Sequence, residues 1–193
     1  MQKGKAKMNQ NVDFQKLRED AVYIFHNGLA CSESVIYAIK KDLDPDIPDA
    51  LIAASSGFPW GMGGAGCTCG ALAGGVMLIG HYFGRTQPKG SEYARCQKLT
   101  REYHDAFCGY AGHACCGAII SGMDKNSDER KAKCTGIVEL AVTKTASIIL
   151  REQGLLSSEQ EEAELQKVRD QNRVSSVQEP LYEAYRNGYS CAR

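Results

Sequence analysis

Apolar residues recur along this chain at three- and four-residue intervals from end to end, and no segment sustains the every-second-residue alternation of a half-buried strand. That rhythm predicts an all-α fold, a compact multi-helix bundle. Phe14, Leu17, Ala21, Ile24 and Phe25 mark one face of a first helix, which a glycine stop ends near Asn27-Gly28. A second helix opens around Cys31, carries Val35, Ala38 and Ile39 on one side, and is broken by the prolines of "DLDPDIP". "PDALIAASSGF" reads as a short third helix and "GFPWGMGGAG" as a glycine-rich loop before the central apolar helix "TCGALAGGVMLIGHYFG". "SEYARCQKLTREYHDAFCGY" is amphipathic, and "CCGAIISGM" suits a turn or two of helix. Asn126 with Glu129 three residues on reads as a capping box. It would open the clearest helix of the chain, whose seam is Cys134, Ile137, Val138, Ala141, Thr145, Ile148 and Ile149.

Beyond Gly154 the composition turns charged, and "SSEQEEAELQKVRDQNR" reads as a solvated helix or a partner-binding extension, with a Tyr-bearing helical turn in "EPLYEAYRNGYSCAR". The expected organisation is a helical, Cys-rich domain over residues 1–154 and a charged helical extension over 155–193 that could belong to the same domain. The 23 basic and 23 acidic residues cancel, so the electrostatic footprint of a nucleic-acid binder is absent. No run approaches the roughly 18 continuous apolar residues of a membrane span. The start "MQKGKAKMNQNVDF" lacks the apolar core of a signal peptide, so a cytoplasmic location is expected.

Nine cysteines are many for a chain of this length in a reducing compartment, where clustered thiols more often mean metal or redox chemistry than disulfides. Cys31, Cys69, Cys116 and Cys134 each lead the apolar seam of a different predicted helix, three of them near a helix start. Unpaired N–H groups at such a start favour the thiolate, the metal-binding and nucleophilic form. Position alone leaves open whether the four thiols meet or are separately packed as small hydrophobes. Spacing does not decide it. No C-x-x-C pair occurs; the close pairs are Cys67 with Cys69 and Cys115 with Cys116, and the C-x-x-C-H of a haem attachment site is missing.

The stretch "CGALAG", preceded by "CSESV" and an "ASSGF" to "GMGG" loop and followed by two later cysteines, resembles the C-GCAxxG-C-C family of redox-active proteins over roughly residues 27–153. Matched position by position, the resemblance implies that Cys31, Cys69, Cys116 and Cys134 are the family's typical cysteines, with Cys115 competing for the third place. It further implies a helical domain holding a prosthetic group such as an iron–sulfur cluster. A likeness to part of the split-Soret cytochromes does not extend to their haem motifs, so haem is not expected. Three departures stand out: Pro59-Trp60 inside the glycine loop, Cys67 two residues before the motif cysteine, and Cys115 beside Cys116.

The glycines of the loop, among them Gly64 and Gly66, and Gly70 just after Cys69, are candidate cofactor-binding positions, because glycine admits close backbone approach and presents N–H groups to an anion or to cluster sulfides. His104 and Cys108 stand one helical turn apart and could share a metal, although an ordinary helix surface explains them as well. His113 is close enough to Cys115 to hydrogen-bond a thiolate. Hydrolase signatures are absent, the acidic run from 159 to 164 reads as a solvated face, and no catalytic residue is assigned. The leading expectation is an iron–sulfur protein with Cys31, Cys69, Cys116 and Cys134 as ligands, serving electron transfer or redox sensing with a redox protein as partner. Zinc held structurally by the same thiols, or a metal-free thiol–disulfide oxidoreductase, are the alternatives. Helices rich in small apolar residues could also build a homo-oligomer face.

Overall fold

The computed structural model describes residues 8–172. In chain order they form α1 (Phe14–His26), α2 (Cys31–Asp42), α3 (Asp49–Ser55), α4 (Pro59–Met62), α5 (Gly70–Phe83), α6 (Glu92–Ala111), α7 (Cys116–Ile119), α8 (Asp128–Glu152) and α9 (Ser158–Gln171). The protein is all-α, as its periodicity demands. Among the described residues extended pairing is confined to one isolated antiparallel bridge, Thr68 with Cys115.

Local chemistry sets the boundaries. The Asp13 carboxylate accepts the N–H groups of Gln15 and Lys16 and so caps α1, which ends at Asn27 before Gly28 turns at φ 134°. At α2 the Glu33 carboxylate reaches back to the Ala30 N–H at 2.8 Å. The start of α8 differs from the sequence expectation. Ser127, not Asn126, is its N-cap, with the Ser127 hydroxyl accepting the Arg130 N–H at 3.1 Å. The Asn126 N–H is instead turned onto the Asp124 carboxylate at 2.7 Å, one step outside the helix.

The long helix α8 is the spine of the molecule and packs against α1, α2, α5, α6 and α9. Its predicted seam is buried from Ile137 to Ile149. Each such Ile or Val contributes about 1.5–3 kcal/mol of burial free energy. The second packing axis is α5 on α2, where small residues decide the distance. A Cβ on Gly74 would fall 2.6 Å from the Ser32 carbonyl oxygen, and one on Gly75 would fall 2.3 Å from the Tyr103 ring. Both glycines are therefore steric requirements. Tyr103, fully buried on α6, ties down the same region by donating its hydroxyl to the Ala71 carbonyl at 2.9 Å.

Helix α9 is less solvated than its composition suggests. Leu165 and Val168 are buried against the bundle, and Glu161 within the acidic run is only 5% exposed. Lys144 and Arg151 of α8 both bind Glu161, and both also reach Glu102 of α6, so a partly buried ion-pair network takes Glu161 out of the expected solvated face, on which Glu159 and Glu162 stay exposed. Glu164 likewise pairs with the buried Arg18 of α1 at 3.0 Å. The Tyr-bearing turn expected near residue 182 and Cys191 lie outside the described residues.

Candidate metal centre

Cys31 is the first residue of α2, Cys69 the N-cap of α5, Cys116 the first residue of α7, and Cys134 lies in the second turn of α8. All four line a single cavity of about 250 Å³. The rest of its wall is largely apolar, with Phe25, Leu29, Ala30, Pro59, Trp60, Ala71, Ile120 and Ile137, together with His26, Arg130 and Lys131. Among the described residues, no three His, Cys, Asp or Glu side chains stand close enough together to hold a single metal ion.

Two backbone contacts bring separate segments to this cavity. The loops bearing Cys69 and Cys116 are laced together: the Cys116 N–H donates to the Cys67 carbonyl at 2.6 Å, Gly117 to Gly66 at 2.8 Å, and Cys69 to Ala114 at 2.8 Å. On the other side, α5 approaches α2 so closely that a Cβ on Gly70 would meet the Cys31 sulfur at 2.5 Å. Gly70 therefore admits the Cys31 thiol, while the cavity wall itself does not include Gly64, Gly66 or Gly70. The glycine loop is folded on itself. The N–H groups of Gly61, Met62, Gly64, Gly66 and Cys67 bond to the carbonyls of Phe58, Phe58, Pro59, Trp60 and Gly61. Those donors are engaged inside the loop, which holds Trp60 and Met62 at φ 57° and 59°, a strained setting for residues with side chains.

The helix-start amides do act on the thiols, but burial outweighs them. Burial pushes the Cys31 thiol up to about 11, with further upward pressure from Cys134 and Cys116, against the opposing N–H groups of Ser32 and Ala71. Burial likewise lifts Cys69 well above an ordinary thiol, against the Ala71 and Leu72 amides, and raises Cys116 and Cys134 despite the pull of Arg130. The expected lowering at helix starts is thus reversed, because desolvation of a thiolate in an apolar wall exceeds what a few N–H groups return. His26 is held below its ordinary value by burial and by nearby Lys131 and Arg130, and its Nε2 lies 2.8 Å from the Thr135 hydroxyl.

Cys67 and Cys115 are not part of the cavity wall, and Cys67, Cys69 and Cys116 are free thiols, so neither close pair is joined. His113 accepts the Cys115 backbone N–H at 2.9 Å, the bond that sequence proximity had suggested for a thiolate. His104 and Cys108 do meet, Nε2 to sulfur at 3.6 Å, but Cys108 is fully buried in the core and the pair is not on the cavity.

The family model described as "Putative redox-active protein (C_GCAxxG_C_C)" matches residues 29–148. The chain belongs to this family. The C_GCAxxG_C_C match spans all four cavity cysteines, the whole of α2, α5 and α7, and α8 as far as residue 148. A relative from Archaeoglobus fulgidus, described as "Uncharacterized protein", is 24% identical over 144 residues, covering 69% of this chain and 93% of its own. No solved structure matches the chain. Among the described residues no helix is long and apolar enough to cross a membrane.

Sequence reasoning on this C_GCAxxG_C_C chain had passed over Arg130, Trp60 and His26 as cavity residues. A signal existed for Arg130, which lies four residues before Cys134 and so one turn away on the same helix face. Trp60 was visible only as an interruption of the glycine loop, and nothing local marks His26.

Proposed function

We propose that Cys31, Cys69, Cys116 and Cys134 hold an iron–sulfur cluster and that the protein serves in electron transfer or redox sensing. The observation that carries this reading is the convergence of four thiols from four helices on one largely apolar cavity. Four thiolates around an apolar space suit an iron–sulfur cluster, whose ligands are cysteine thiolates and whose potential such a wall would tune. The cluster would supply one-electron chemistry. The protein's share is to deliver four thiols from four helices, to exclude water with Phe25, Leu29, Ile120 and Ile137, and to leave the rim at Trp60 partly exposed. Against the metal-free alternative, burial raises Cys69 and Cys116, one member of each close pair, above an ordinary thiol and so makes them poorer nucleophiles for exchange. The family's redox description agrees with an electron-carrying role, and a redox protein is the partner such a role requires.

Anaerobic purification followed by iron and sulfide analysis and an absorption spectrum tests the assignment. Wild type is expected to carry iron and acid-labile sulfide, or to take them up on reconstitution. Alanine at any one of the four cysteines should lose them, and Cys96→Ser should keep them. Zinc at one equivalent per chain with no iron would replace the reading by the structural one.

A further inference from the structure

Arg130 sits where a cation is least expected. It occupies the first turn of α8, where the helix dipole disfavours positive charge, and its Nε is buried without a hydrogen-bond partner. Leaving a buried donor unpaired is costly, and such a group calls for an acceptor. The cavity is what Arg130 lines, together with Lys131, and no Asp or Glu shares that wall. Its guanidinium lies 5.0 Å from the centroid of the Trp60 ring, which the hydrogen-bonded glycine loop holds in place.

We propose that Arg130 is the charge-balancing and positioning residue for the anionic, thiolate-bound group of the cavity, with its buried Nε–H as the donor kept for that group and Trp60 as the plate that holds the guanidinium. The proposal rests on the four thiols being ligands. Four thiolates bring more negative charge than a cluster's iron cancels, and a fixed cation beside them favours the more negative, reduced form. Arg130 therefore raises the midpoint potential.

The test compares wild type, Arg130→Gln, Arg130→Lys and the distant control Arg169→Gln, an exposed α9 cation paired with Glu162. In chains shown by analysis to carry equal iron and sulfide, Arg130→Gln is expected to have a more negative midpoint than wild type, Arg130→Lys an intermediate one, and Arg169→Gln an unchanged one. A loaded Arg130→Gln with the wild-type midpoint overturns the proposal. A second readout needs no cluster: the ratio of alkylation rates with iodoacetate and iodoacetamide at the cavity thiols of the metal-free protein, folding being checked by circular dichroism. Both reagents need the same thiolate, so the ratio isolates attraction of the anion. Arg130→Gln should lower it several-fold, and an unchanged ratio overturns Arg130 as the cavity's cation even where the variant loads poorly. If wild type itself takes up neither iron nor sulfide, the cluster reading fails, and this ratio alone decides for or against Arg130.

Discussion

The Cys31 sulfur occupies the space that a Cβ on Gly70 would need, 2.5 Å from where that carbon would stand. The motif glycine after Cys69 and the upstream cysteine are thus one fitted pair across α2 and α5, although 39 positions separate them in the sequence.

Gly70→Ala should force Cys31 off its rotamer or push α5 from α2, since the Phe58 carbonyl at 3.3 Å also crowds the added methyl. The expected cost is about 1–3 kcal/mol in urea unfolding, with reduced metal loading. Gly80→Ala, which meets nothing within 4 Å, is the matched control and should be neutral or slightly stabilising through helix propensity. Equal stability of the two variants would remove the steric account of the motif.

The cap of α8 separates two adjacent residues. Ser127→Ala should cost about 1 kcal/mol, the usual loss of a side-chain cap, and Asn126→Ala a few tenths at most. The reverse order in chemical denaturation would restore Asn126 as the cap.

The network of Lys144, Arg151, Glu102 and Glu161 makes stability acid-sensitive. Burial alone would raise the Glu102 carboxyl, but Arg151 and Lys144 overcome it and hold it at about 2, against an ordinary 4.5. Because its folded value is the lower, Glu102 contributes fully above about pH 4.5, and that contribution disappears as pH falls towards 2. Glu102→Gln should flatten the fall of unfolding free energy across that window. Lys144→Met should cost about 3 kcal/mol at neutral pH, at the low end for a broken buried pair because Arg151 still holds Glu161.

Loading of the proposed cluster should rise with pH. Each ligand must lose a proton, and burial has raised all four thiols, Cys31 to about 11. Reconstitution at pH 8.5 should therefore be more complete than at pH 6.5, with proton release measurable in unbuffered solution. Loading independent of pH would mean that the thiols are not the ligands.

The helices could be read from the chain because each is a local affair. Phe14 to Phe25, the seam from Cys134 to Ile149 and the stop at Gly28 follow from 3.6-residue spacing and from glycine's freedom within a few residues. The same reading marked Cys31, Cys69, Cys116 and Cys134 as seam positions, since a residue's face on its own helix is also local. Where errors arose, a distant partner intervened. Glu161 reads as solvated until Lys144 and Arg151 arrive from α8, and helix-start thiols read as acidic until the bundle buries them.

By itself, then, the order of residues determined the helical class, most element ends and which thiols face inward. Only tertiary structure decided that those thiols share one cavity, that Gly70 serves Cys31, and that Arg130 stacks on Trp60 in the cavity wall. The physical reason is range: propensity, capping and periodicity act within a turn or two. Desolvation, ion pairing and steric fit depend on which surfaces meet after the chain has closed on itself.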